Sequence, residues 1–332
     1  MGRHDELLAQ ARSGSHAALG RLITALEDGD ASALAALGRR LAVDVAPAVR
    51  VGITGAPGTG KSSLIAAMAG SAGVEERIGV LAVDPSSDGS GGALLGDRFR
   101  LYGMASRRSA GSGLFFRSMG SRGSRNAINR HLGVALALLE YAGMRPIFVE
   151  TAGAGQTDIA VREWVDCLVL VLNPDSGDAI QMLKAGLMEW ADVFVVNKAD
   201  RPGARSFAAQ LRGVARIGKS QRASIHLVQA SAADTDQAEL MQLRSELELV
   251  ASKQLKDRHL MWKSAIAGFM EAALVGQIKD SLIGEPAWLA ALEKVASGQA
   301  SVEQAVHTAW ASVHVGLPTT WPAGAAGSRS AG

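Results

Sequence analysis

Gly55-Ala56-Pro57-Gly58-Thr59-Gly60-Lys61-Ser62 is a complete GxxxxGK[ST] octet, and its flanks decide the fold. The run Val49-Arg50-Val51-Gly52-Ile53-Thr54 before it reads as a short buried strand, and Ser63-Leu64-Ile65-Ala66-Ala67-Met68-Ala69 after it reads as a helix. Strand, glycine loop and helix in that order make the octet a phosphate-binding loop rather than a glycine-rich turn that happens to precede a lysine. Its three glycines let main-chain N–H groups converge on one phosphate chain at a helix N-terminus. Lys61 then reaches the β- and γ-phosphates, and the Ser62 hydroxyl holds a magnesium ion. The sequence predicts a nucleotide site.

Outward from the loop, short apolar runs alternate with helical stretches. Strands are expected at 49–54, 78–83, 146–150, 166–172, 192–196 and 225–230, and helices at 61–69, 126–142, 179–190 and 204–217. Such alternation implies an α/β fold with a mostly parallel sheet covered by helices on both faces. Ahead of it, residues 5–43 carry leucines at helical spacing (Leu19, Leu22, Leu26, then Leu34, Leu37, Leu41), with Asp30 and Ser32 as helix-start residues. From Glu239 to Val315 only helix-period patterns remain, and 316–332 is a Pro/Gly/Ser/Ala-rich tail. The expected organisation is a helical extension over 1–46, a nucleotide domain over 47–238, a helical arm over 239–315 and the tail.

Ligands of open α/β sheets sit beyond the carboxyl ends of the strands, and polar residues cluster where the apolar runs stop. Asp84 closes one run; Glu150 closes another, three residues before Gly153. An acid there can bind magnesium directly or through water, and Gly153 offers an N–H and room for a γ-phosphate. Asp97 is a further acid that can complete the magnesium environment, and Gln156 reads equally as a water-positioning residue or an ordinary polar loop residue. Asn197-Lys198-Ala199-Asp200 closes a third run; the Asp200 carboxylate can accept from N1–H and the 2-amino group of guanine. Adenine lacks that donor pair, so the site selects guanine, with Ser231-Ala232 adding backbone contacts.

Bulk properties narrow the classes. With 48% hydrophobic and 20% charged residues the chain is globular, and its net charge of +2 gives no overall argument for nucleic acid or membrane. The single cysteine, Cys167, lies in an apolar run and reads as a small buried hydrophobe. The N-terminus lacks a signal-peptide core and no apolar run is long enough to span a bilayer, so a cytoplasmic protein is expected. Residues 98–139 hold eight arginines and no acid, which reads either as a contact surface for an acidic partner or as arginines paired elsewhere in the fold.

Taken together, Thr54–Ser63, Val83-Asp84-Pro85-Ser86-Ser87, Gly91–Asp97, Val149–Gln156, Leu183–Gly186 with Met188-Glu189, and Asn197–Asp200 resemble the G-protein chaperones of adenosylcobalamin-dependent acyl-CoA mutases, the MeaB/ArgK-type family often labelled LAO/AO transport ATPase. The resemblance spans roughly residues 5–315. It implies a signal-recognition-particle-like P-loop GTPase with an N-terminal helical extension and a C-terminal arm that forms a homodimer. It also implies GTP/GDP and Mg2+ as cofactors, gated delivery of cobalamin to a mutase, and protection or reactivation of that enzyme. By motif, Ser62, Asp84, Asp97 and Glu150 would organise magnesium, and Asp175, Asp178 and Lys184 would lie in a mobile loop that communicates with the mutase. Two segments depart from the family pattern, Ser124-Arg125-Asn126-Ala127 and Asn173–Asp178, so a methylmalonyl-, isobutyryl- or hydroxyisobutyryl-CoA mutase all remain open as client.

Two other classes compete. A nickel-insertion GTPase needs clustered His and Cys ligands, whereas the seven histidines are scattered and one cysteine is too few. An ATP-dependent small-molecule kinase or transport-linked ATPase would leave Asn197–Asp200 without a task.

Overall fold

The computed structural model describes residues 2–41, 45–71, 73, 75–84, 113–120, 127–151, 153, 160–174, 189–215, 224–228, 237–282, 286–297, 299–304 and 307. Among the described residues seven strands form one sheet: β1 (Arg50–Thr54), β2 (Ile78–Asp84), β3 (Leu114–Gly120), β4 (Ile147–Thr151), β5 (Cys167–Leu172), β6 (Val193–Asn197) and β7 (Ser224–Val228). Their order is β3-β2-β4-β1-β5-β6-β7. Every neighbouring pair runs parallel, so the carboxyl ends share one edge of the sheet. β1, β4, β5 and β6 are buried throughout, which is why their apolar residues run together instead of alternating, with Arg50, Glu150 and Asn197 confined to the strand ends.

Nine helices lie among the described residues: α1 (Arg3–Arg12), α2 (His16–Glu27), α3 (Ala31–Leu41), α4 (Lys61–Gly70), α5 (Ala127–Tyr141), α6 (Ala204–Ala215), α7 (Gln237–Lys253), α8 (Arg258–Leu282) and α9 (Pro286–Ala296). Of the N-terminal three, α2 and α3 start at side-chain caps, the second of them at the expected Asp30. Ser15 Oγ accepts from the Ala18 N–H at 3.3 Å, and Asp30 Oδ1 accepts from Ser32 and Ala33 at 2.8 and 3.1 Å. Leu19, Leu22, Ile23, Leu26 and Leu37 then bury one stripe of this layer against α5, the edge strand β3 and its neighbour β2. On the opposite face α4 and α7 pack over β1, β5 and β6 through Leu64, Ile65, Met68, Leu240, Leu243 and Leu247. α6 covers the β6 flank with Ala208 and Leu211.

The chain divides into two compact units, Met1–Ala267 and Gly268–Gly332. α7 therefore belongs with the sheet, ahead of the division. The second unit contributes the remainder of α8 and α9 among its described residues. No described helix is long and apolar enough to cross a membrane.

The structure adds one strand that the sequence reading omits. β3 sits at the sheet edge and carries Arg117 in its middle, which hides the apolar pattern. Arg117 donates to the Gly20 carbonyl at 3.2 Å, to Thr24 Oγ1 at 3.0 Å and to the Glu27 carboxylate. Of the eight arginines in that region, this one is paired within the fold; Arg98, Arg100, Arg107, Arg108, Arg122 and Arg125 lie outside the described residues. Helix 179–190 also lies outside them, apart from its last two residues.

At the amino end of β1, opposite the glycine loop, four charged side chains close on one another. Arg50 donates to Glu140 at 2.7 Å, and Arg258 donates to Glu140 at 2.8 Å and to Asp166 at 2.5 Å, with Asp166 fully buried. Removing one member of such a buried set costs about 3–5 kcal/mol because its partner is left uncompensated. The network fastens the first turn of α8 to the sheet and leaves the opposite edge for chemistry.

Candidate nucleotide site

β1 ends at Thr54 and α4 begins at Lys61, so Gly55–Gly60 form the connecting loop over the carboxyl edge of the sheet. Pro57 and Gly58 are exposed at its tip, Gly55, Ala56 and Thr59 are buried, and Ser63 is half-buried in the first turn of α4. The Lys61 side chain does not extend into solvent. Only 6% exposed, it donates from Nζ to the Gly55 and Ala56 carbonyls at 2.9 and 3.0 Å. This fixes an ammonium group inside the curl of the loop, where a phosphate chain would meet it together with the main-chain N–H groups at the helix start. Thr59 Oγ1 donates to the Ala56 carbonyl at 2.9 Å and tightens the same curl.

Glu150 stands in register with Ile53 across the β1–β4 ladder. Its Oε1 accepts from the Ser62 hydroxyl at 2.6 Å. Two hard oxygen donors therefore meet at the first turn of α4, a donor set that suits magnesium. Beyond Glu150 the chain bends at Gly153, with φ of 80°. A Cβ on Gly153 would lie 2.0 Å from the Gly55 carbonyl oxygen, so only glycine brings this turn onto the loop.

The Asn197–Asp200 segment follows β6 and reaches the loop from its other side. Asn197, fully buried, donates from Nδ2 to the Thr59 carbonyl at 2.8 Å. Lys198, at φ 58°, donates from Nζ to the Gly58 carbonyl at 3.0 Å. Asp200 remains exposed beyond them. Asn197 and Lys198 thus clasp the glycine loop, a role that their local sequence did not reveal; the 138 residues separating Asn197 from Thr59 leave no spacing signal.

The structure brings together Gly55–Ser63, Glu150, Gly153 and Asn197–Asp200 at one edge. Asp84 closes β2 on the same edge, as expected from its strand-end position. Asp97, Gln156, Ser231 and Ala232 lie outside the described residues, as do Asp175, Asp178 and Lys184. Cys167 is buried in β5 and desolvation pushes its thiol well above the usual range, which makes it an inert core residue.

A parallel sheet with this loop after its central strand and a lysine at the head of α4 defines a P-loop nucleotide-binding protein. A family model described as "Methylmalonyl Co-A mutase-associated GTPase MeaB" matches residues 19–248, and the chain belongs to that family. A GTPase-named protein of Pyrococcus horikoshii is 44% identical over 201 residues, covering 60% of this chain and 62% of its own. A protein of Nocardia farcinica named fused isobutyryl-CoA mutase is 36% identical over 200 residues, which are 58% of this chain but 18% of that one. The matched segment is thus about three fifths of the length of the Pyrococcus relative. Among solved structures, one described as LAO/AO transport system kinase covers 94% of this chain and 98% of its own with a TM-score of 0.57; at 19% identity it shares the fold.

Proposed function

We propose that this chain binds and hydrolyses GTP, and that its nucleotide state governs delivery of adenosylcobalamin to an acyl-CoA mutase and the protection or reactivation of that mutase. The observation that carries the nucleotide half is the clasp: Asn197 and Lys198, in the same turn as the Asp200 that would read guanine, are bonded to the loop that would hold the phosphates. Base and phosphates of one molecule would then be held by a single connected unit. The mutase half rests on the family description and on the fused relative's name.

In this reading Lys61 and the main-chain N–H groups of Gly55–Ser62 orient the β- and γ-phosphates, and Asp200 accepts from guanine. Ser62 and Glu150 would hold Mg2+, with Asp84 and Asp97 as the further acids; the ion would neutralise charge on the phosphates. Gly153 would offer its N–H to the γ-phosphate, and Gln156 would orient water. Turnover is slow, since no arginine is placed by motif against the transferred group. Two copies would pair through the helices beyond residue 239.

The test is capture from the native host with the tagged chain, once with a non-hydrolysable GTP analogue and once with GDP. Recovery of a cobalamin-dependent mutase subunit that changes with nucleotide supports the proposal and names the client. Recovery of a nickel enzyme or a permease in both states, without a mutase, contradicts it.

A further inference from the structure

Two threonines at the edge of the site take no part in the roles above. Thr54 closes β1 and Thr151 closes β4, and their Oγ1 atoms lie 3.0 Å apart with the side chains 0% and 1% exposed. Neither hydroxyl has another partner among the described residues. The ladder between β1 and β4 runs as far as Ile53 opposite Glu150. One residue further on, Thr54 is registered with Leu170 of β5 and the β4 chain continues alongside β2. The hydroxyl bond is therefore the next link between the two strands after their main-chain register ends.

Its place relative to the site is definite. Side chains alternate between sheet faces, so Ile53 and Glu150 point toward α4, and Thr54 and Thr151 point to the other face with Val149. On the α4 face the Ser62–Glu150 contact closes; directly after the threonines, the Gly55 carbonyl and Gly153 come within touching distance. The threonine pair thus lies between the two places where the phosphate loop and the acid strand must keep a fixed spacing.

Packing alone gives no reason for hydroxyls here. Valine has the same shape, and replacing both members of a buried hydrogen-bonded pair by apolar groups of equal shape is nearly neutral for stability. A directional bond adds a fixed separation and angle between the strands, which an apolar pair lacks.

We propose that Thr54 and Thr151 are positioning residues: their hydroxyl bond sets the spacing between the glycine loop and the Glu150–Gly153 segment, and so the geometry in which Ser62 and Glu150 receive a divalent cation. This rests on the GTPase reading given above.

The test compares the Thr54→Val/Thr151→Val double variant with Thr151→Val, Thr151→Ser and the unmodified chain. Thermal midpoint, GDP affinity without magnesium, and single-turnover GTP hydrolysis against magnesium concentration are measured. The double variant is expected to keep the midpoint and the metal-free GDP affinity. Its half-saturating magnesium rises and its single-turnover rate falls, each about tenfold, as small displacements of reacting groups produce. Thr151→Ser, which keeps the hydroxyl, stays close to the unmodified chain. A double variant with unchanged magnesium dependence and rate overturns the proposal, as does one whose turnover falls only in step with lost folding. An unmodified chain that hydrolyses no GTP instead overturns the underlying reading, and that is seen before any variant is made.

Discussion

Asn197 and Gly60 are in mutual contact: a Cβ placed on Gly60 would lie 2.2 Å from Asn197 Nδ2, the same nitrogen that donates to the Thr59 carbonyl at 2.8 Å. Gly60 caps α4 in the left-handed region at φ 92°, so its lack of a side chain serves both the turn and the clasp. The base-reading segment and the phosphate loop are one mechanical unit.

Substitutions at this contact should couple. Asn197→Ala leaves the buried Thr59 carbonyl without its partner and is expected to cost about 1–3 kcal/mol of stability. Gly60→Ala adds backbone strain to the collision and should cost more. The double variant should be less destabilised than the sum, because Asn197→Ala removes the group that the new methyl strikes. Chemical denaturation of all four chains checks this; strict additivity would show that the contact is not made.

Asp200 is exposed and lies just past the clasp, so its substitution should alter the ligand and spare the fold. Asp200→Asn replaces an acceptor of the guanine N1–H and 2-amino group by a group that can donate to a carbonyl at position 2. GTP affinity should fall about 100-fold or more, with xanthosine triphosphate now preferred. Competition binding with the two nucleotides measures the exchange.

Glu150→Gln keeps the shape of the side chain and removes its charge. Magnesium-dependent hydrolysis should fall about 100-fold, while GDP binding in the presence of a chelator changes little. Hydrolysis at the unmodified rate would show that Glu150 takes no part in the metal site.

A pH effect arises far from the nucleotide. Burial first, then the neighbouring Arg162 charge, push the Lys256 ammonium down to about 8 from 10.5. Between those values the unfolded chain binds the proton and the folded chain does not, so this group makes stability rise with pH across that window. Below it the group is charged in both states and the penalty is fully present. Urea midpoints should climb between about pH 8 and 10, and Lys256→Met should flatten that rise. An equal climb in the variant would contradict the assignment.

The sheet was legible because its four central strands are buried on both faces and carry short apolar runs; Cys167–Leu172 and Val193–Val196 show this best. β3 was not, because an edge strand tolerates Arg117, whose charge is met by Glu27 of a helix 90 residues away in sequence. In the site, the octet announced Lys61 and Ser62, and strand-end positions announced Glu150 and Asn197. What the sequence did not disclose was the mutual support: Asn197 on Thr59, Thr54 on Thr151, Gly153 on Gly55. Those relations come from strand order, in which β1 lies between β4 and β5 although β2 and β3 follow it in the chain.

The most direct measurement is phosphate release by the purified chain with magnesium, comparing GTP with ATP and the unmodified protein with Lys61→Ala. Slow release from GTP, a kcat/KM at least about tenfold above that for ATP, and loss of activity in Lys61→Ala are predicted. Equal or better use of ATP, or activity that survives the loss of Lys61, would contradict the account.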